Sequence, residues 1–472
     1  MAKSCPTVAK SQVQSVFAVL EDVSGELQPP TVDGYILPAG RATMTQTPSY
    51  SDSEELSPSL NTIDQFQDAV PAGTGSIPLY GRLDSAYGKP EGDALLVALM
   101  GDYNDPAKIT AAVSDVDGVT ASDTEITVNA IVNGNDFDGN ILKGKLPPRG
   151  VVKIDSENIR YGKIVYNDDD TATLQNCKRG YGGTTAAEHD DAAAVQLLSR
   201  VYSQNTCRPT CSIYIMNDDK LMLFMSGCSV IQDVVRLQRT QGQMFAFDFQ
   251  GRRMGWCGVG EVAEAPVGTS VKLAAGGADA YSVGGYVRNK TRGDDNSGQG
   301  YRIAAVDDES DTLTLSAAPT GWQVGDVLHP WLPSATPIGK PMESRFGNVE
   351  IDGKVGKMNE GSLTISCPVT NLEEMGDEYP GEGIDTKRAI TLSRTINVRA
   401  KDGVEFGKGY RGYELPVTVL AGKYAGLTLA HYMARVKFNT PEVGEGDNAI
   451  TLTQDGTALG VTGEDALFII QE

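Results

Sequence analysis

Histidine is scarce, with 3 in 472 residues, and His189, His329 and His431 lie far apart with no nucleophile turn beside any of them. Ser-His-Asp and Cys-His hydrolase arrangements therefore find no support in the chain. The 7 cysteines are an odd, widely spread set that fits reduced, mostly buried thiols better than a disulfide framework. Cys207 and Cys211 are close in sequence, but no second pair and no histidines follow in register, so zinc is poorly served. Long apolar runs are missing too: the best lies within Ala94 to Met100, far short of the roughly 20 residues a membrane-spanning helix needs. The opening Met-Ala-Lys-Ser-Cys-Pro has no apolar stretch with a small-residue cleavage site, which predicts a product made and kept in a cytoplasm. Bases number 40 against 62 acids, a net charge of −22. A surface of that sign repels phosphate, so a protein that grips DNA or RNA is excluded.

What is present is the balance of a turn-rich β protein: 53 glycines, 40% hydrophobic residues and 22% charged ones. Runs of β-formers between Gly, Asp and Pro breakers, such as Thr43 to Thr47, Ser76 to Tyr80, Ile213 to Met216, Phe245 to Phe249 and Ile390 to Val398, predict strands. One short amphipathic helix is expected, with Asp93 as N-cap, Leu95, Leu96, Leu99 and Met100 on one face, and Gly101 as its stop.

Several motif fragments read as turns rather than sites. Gly258-Val-Gly260 has dinucleotide-loop spacing, but Glu264-Ala-Pro266 breaks the helix that such a loop must feed. Asp115-Val-Asp117-Gly118 and Asn135-Asp136-Phe-Asp138-Gly139 lack the first-position acid and closing Glu of a calcium loop. Asp168-Asp169-Asp170 falls between two strand-like runs, where a hairpin turn belongs.

Two segments stand apart as insertions, 103–206 with a net charge of −5 and 265–335 with −3. They divide a body into residues 1–102, 207–264 and 336–472. The insertions resemble each other, since Tyr166 to Leu174 and Asp307 to Leu315 both run from an acidic turn into an alternating strand, with Asp170-Thr171 matching Asp311-Thr312. Two related small β modules are expected.

An ordered set of features carries a family resemblance. An extended arm comes first, with Glu21, Gly25, Pro29 and Pro30 in the order Glu-x-x-x-Gly followed by Pro. Arg41 to Thr47 then runs through the polar loop Ser51 to Leu60 to Gly73 to Tyr80, ahead of the helix within Gly88 to Gly101. Near the end of the chain stand Arg435 to Phe438, the acidic loop Pro441 to Gly446, Ala449 to Leu452 and Ala466 to Ile470. In this order they resemble the tail tube (major tail) proteins of long-tailed bacteriophages. Within the first insertion, Gly150 to Tyr161 and Arg179 to His189 resemble a small β module recurrent in phage virion proteins.

The resemblance implies a mainly β fold, a tail-tube β-sandwich or barrel with one flanking α-helix plus the inserted modules. It implies a structural protein of the virion tail, assembled in the host cytoplasm as six-membered rings stacked into a tube through which the genome leaves. Its partners would be further copies of itself and the initiator or distal-tail, tape-measure and terminator proteins, with viral DNA passing through unbound and no membrane contact. No enzymatic activity, metal or cofactor is expected. The competing reading is a distal-tail or receptor-binding virion protein that uses its inserted modules for adhesion.

Three groups of residues are candidates for these contacts. Ile63, Asp64, Phe66 and Asp68 mix acids with apolar anchors, as suits a contact with the next ring. Glu21, Gly25, Pro29 and Pro30 sit in an arm with little core of its own, which predicts a neighbouring subunit for it. Asp218, Asp219, Glu350 and Asp352 lie in strand-end turns and are expected to face the channel, where acids would keep a passing duplex from sticking.

Overall fold

The computed structural model describes residues 10, 12–53, 64–104, 106, 110–129, 146–167, 171–238, 241–356, 358–399, 403–445, 449–461 and 463–472. The protein is mainly β, and its strands group into one large body and two small modules. Alternation explains the strands: in Met244–Gly251, Phe245, Phe247 and Phe249 all point inward while the residues between them are only partly covered.

The body is built on one 18-residue strand, Leu221–Gln238. Its first half pairs with Cys211–Asn217 and Arg253–Cys257, and its second half with Met244–Gly251 and Glu360–Ser366. The strand therefore passes from one sheet to another, and the change comes at Gly227, whose φ of 65° is costly for any residue with a Cβ. On one side lies a small sheet continued by Gln14–Leu20 and Tyr35–Ile36. On the other, pairing continues through Ala389–Asn397, Ile450–Ala458 and Leu429–Phe438 to Glu414–Ala421.

Helix α1, Asp93–Met100, packs against strands of both parts, and all six residues from Leu95 to Met100 are buried. It is enclosed rather than amphipathic, which corrects the expected single apolar face. Gly92, in the left-handed region, takes the N-cap position, and Asp93 instead receives the Arg200 guanidinium and the Tyr202 hydroxyl. Gly101 ends the helix at φ 106°, as the sequence indicates. A second helix, α2, Gly403–Tyr410, is added to the one that was expected. Among the described residues, no helix is long and apolar enough to cross a membrane.

Each insertion closes into a small barrel. In the first, Thr110–Ala112 pairs with Ala194–Leu197, then Gly150–Ile154, then Glu157–Tyr161. The chain continues through Gly162 into Lys163–Tyr166, which pairs with Thr171–Gln175 and then Glu125–Asn129. In the second, Gly260–Glu261, Val327–Pro330, Tyr286–Asn289, Tyr301–Asp307, Thr312–Leu315 and Ser270–Lys272 follow one another across the sheet. Numbered along each insertion, the strand order is the same in both, 1-6-3-4-5-2.

The closing bridges match as well, Val113 with Val128 and Val262 with Leu273. The Val113 and Val262 amides donate to the Ala193 and Asp326 carbonyls, both at 2.9 Å. The preceding residues, Ala192 and Gly325, have φ of 63° and 85° and return hydrogen bonds to the same two valines. The correspondence noticed in sequence is thus one strand of a whole shared topology: Ala172 and Leu174 are buried in the first barrel where Leu313 and Leu315 are buried in the second.

The structure moves the limits of the insertions. Gly101–Asn104 and Val201–Gln204 pair with each other in the body, so the first barrel begins after them and ends before them. The second barrel begins at Gly260, inside the stretch assigned to the body.

His431 lies wholly inside the body, its ring 6.1 Å from that of Phe245. Burial pushes its pKa down to about 4. The unfolded chain therefore takes up a proton near pH 6.5 that the folded chain refuses until about pH 4. Stability from this residue is complete above pH 6.5 and is lost as pH falls, by about 2 kcal/mol between pH 7.5 and pH 5. In thermal melts, His431→Leu is expected to lose less stability than wild type over that interval. Equal losses would place the pH dependence elsewhere.

Candidate functional site

Two of the three histidines are held by acceptors of the fold. His189 lies between Asp155 and Glu157, with its Nδ1 and Nε2 at 2.8 and 2.9 Å from their carboxylates. His329 Nδ1 is 2.8 Å from the carbonyl of Asp219. Cys211 is buried opposite Cys228, and Cys207 is exposed. Among the described residues, no group of three or more His, Cys, Asp or Glu is placed to hold a metal ion. Asp115-Val-Asp117-Gly118 forms a turn closed by the Asp115 carbonyl and carboxylate, and Gly260 leads into a strand. Residues 135–139 and 168–170 lie wholly outside the described residues.

Of the residues assigned to the arm, Glu21 and Pro30 are buried within the chain's own fold, Gly25 is partly covered and Pro29 is exposed. At Gly227 the bend in the long strand leaves an amide without a ladder partner, and Glu21 Oε1 accepts it at 2.8 Å. The same buried carboxylate takes the Ser212 and Thr210 hydroxyls at 2.8 and 2.6 Å and the Gly25 amide at 2.7 Å. Gly25 closes this loop at φ 91°. Gln28 continues it through hydrogen bonds with Ser212 and Tyr214, which leaves Pro29 exposed and Pro30 buried. The sequence signal was the Glu-x-x-x-Gly spacing itself, which is that of a short carboxylate-to-amide loop.

The four acids assigned to the channel divide differently. Glu350 is held by Arg149 Nη1 at 3.0 Å and Arg160 Nη2 at 3.6 Å, and Asp219 by Lys290 at 2.8 Å and Arg288 at 3.4 Å. Asp218 accepts the Lys10 amide at 2.9 Å and faces Lys220 at 3.4 Å. Three of the four are thus paired with cations of the chain while staying partly exposed. Asp352 is exposed in a turn, at φ 52°.

Glu350 and Asp219 instead mark two joints that sequence reasoning missed. At the first barrel, Arg149 also donates to Thr418 at 2.6 Å and to Glu472 at 2.5 Å, and Arg160 reaches Glu472 at 2.7 Å. This joint is ionic and buried. The second barrel has a different one: its core runs without a break into Phe17, Tyr214, Met222 and Phe224 of the body.

Among the described residues, two of the surfaces that lack a covering element lie at a hairpin and at α2. Among the described residues, Tyr50–Asp52 and Gln65–Gln67 pair only with each other, and all six are exposed, Tyr50 at 58% and Phe66 at 60%. Ser51 donates to Asp68 at 2.9 Å and Gln65 to Asp52 at 2.7 Å, while Asp64 accepts the Gln65 amide at 2.8 Å. Ile63 lies outside the described residues. The second surface surrounds α2, which has no buried residue and carries Val404 at 58% and Tyr410 at 86% exposure. Nothing in its glycine-rich sequence, Gly-Val-Glu-Phe-Gly-Lys-Gly-Tyr, announces a helix.

No protein-family model matches the sequence, and no curated protein matches it either.

Proposed function

We propose that the chain is a structural subunit that polymerises into a tube, the tail tube of a long-tailed bacteriophage, with rings of six stacked around a conduit for the genome. The observation that carries this reading is the isolated hairpin formed by Tyr50–Asp52 and Gln65–Gln67. A two-stranded hairpin is marginal in water on its own, and this one exposes Tyr50 and Phe66 as well. Such an element gains stability from a surface outside its own fold. The mainly β body, the enclosed helix α1 and the order of features along the chain are in keeping with that reading. The two barrels, each joined to the body at its side, are additions to the polymerising part.

Purified protein, concentrated stepwise and viewed by negative-stain electron microscopy, is expected to give rings or tubes with an axial hole. A monomer at every concentration, alone or with a tail initiator, would count against the proposal.

A further inference from the structure

Resting on the self-assembly reading, we infer that the face around α2 receives the acidic hairpin of a second copy of this chain. An eight-residue helix with three glycines has a poor intrinsic preference for helix, and most helical stability in proteins comes from a packed face. This helix has no buried residue. Beside it lies a groove of about 220 Å³ lined by Lys354, Arg394, Arg399 and Lys408, with Glu405 as its one carboxylate. Lys354, Arg394 and Lys408 thus face one carboxylate of the lining, Glu405, which Arg394 and Lys408 share at 2.5 and 3.4 Å. In a chain of net charge −22 such a groove runs against the general sign. Val355, at 66% exposure, adds apolar surface to its lining, and Val404 of α2 is exposed next in sequence to Glu405.

The hairpin has the complementary chemistry. From Ala42 to Gly81 the sequence holds no Lys or Arg, and its acids include Asp52, Asp64 and Asp68. Tyr50 and Phe66 provide the apolar part. Aromatic anchors ringed by paired charge suit an interface that is specific in register. Because one patch meets a different patch, the contact is heterologous and propagates from copy to copy.

Two measurements test this on the full chain. With the photo-crosslinker p-benzoylphenylalanine at position 410, irradiation is expected to give dimers whose linked peptides contain residues 50–52 or 64–68. Separately, Lys354→Glu with Lys408→Glu should lower the association constant by at least about tenfold, as should Asp64→Lys with Asp68→Lys, because like charges then meet. The two pairs combined in one chain should restore association, with circular dichroism confirming that every variant is folded. Crosslinks elsewhere on the second copy, or reversed variants that associate like wild type, would overturn the α2 assignment and leave self-assembly standing. A folded combined variant that fails to recover would overturn it as well. Wild-type protein that stays monomeric throughout would sink both.

Discussion

Replacing residues 105–199 with a four-residue Gly-Ser linker is expected to leave a folded, soluble body, whereas replacing 260–332 in the same way should abolish soluble protein. The first cut is geometrically easy, because Asn104 and Val201 are direct partners in antiparallel strands and a short loop joins them as a hairpin. What it removes is an ionic joint. Glu472 and Glu350 lose Arg149 and Arg160, but they also lose the barrel that covered them, so water replaces the lost partners. Charges left unpaired are expensive only while they stay buried.

The second cut uncovers Phe17, Tyr214, Met222 and Phe224, which are at most 4% exposed in the intact chain. At roughly 1.5–3 kcal/mol for each large apolar side chain, that is about 6–12 kcal/mol, comparable with the whole stability of a typical domain. Soluble yield and a cooperative melt check both halves. The sequence sets both segments apart as insertions alike, and the two joints narrow a harmless cut to the first. Soluble, cooperatively melting protein from both deletions would show that the apolar joint is dispensable.

The strands were legible because their signal is local: Phe245, Phe247 and Phe249 point one way in sequence and in space. The kinship of the barrels was legible only in its most regular strand, where Thr171 to Leu174 and Thr312 to Leu315 share the alternation. Their other equivalences are backbone hydrogen bonds at residues as unlike as Ala192 and Gly325, which composition does not reveal. The joints were hidden for another reason. Arg149 meets Glu472 across 323 positions, and nothing near either residue announces the other. The partners of the acids assigned to the channel were hidden in the same way: Asp219 resembles an open turn residue until Lys290, 71 positions away, is folded against it. The hairpin and α2 differ in what could be read. Phe66 between acids is visible in the sequence as an odd mixture, whereas the exposure of α2 follows from what the rest of the chain leaves uncovered.

Glu157→Ala is expected to unfold the first barrel selectively while the body keeps its structure. The carboxylate is fully buried and receives two hydrogen bonds from Arg179, at 2.9 and 2.8 Å, the Gly180 and Ala187 amides at 2.7 and 3.0 Å, and His189 at 2.9 Å. These donors tie the start of the strand Glu157–Tyr161 to the loop that leads into the barrel's last strand. Removing the acceptor takes the counter-charge from the Arg179 guanidinium, which is largely buried and keeps the Thr120 and Ala187 carbonyls as acceptors, a change that costs about 3–5 kcal/mol. A barrel of roughly 90 residues has about 5–14 kcal/mol in all, so the loss is a large share of it. The body should be spared because Glu157 makes no contact with the ionic joint at Arg149 and Arg160. pH gives a second reading of the same group. Burial alone would raise its pKa, but Arg179, the two amides and His189 outweigh burial and hold it at about 2, against 4.5 in the unfolded chain. The folded carboxyl is thus the stronger acid, so its contribution is complete above about pH 4.5 and disappears as pH falls toward 2. Hydrogen exchange read by mass spectrometry distinguishes the parts: in the variant at pH 7, peptides from 110–129 and 146–197 should exchange rapidly while those from 211–238 stay protected. Wild-type protein should lose protection in the first barrel progressively below pH 4.5. If the barrel peptides of the variant remain as protected as in wild type, Glu157 does not hold the loop to the barrel.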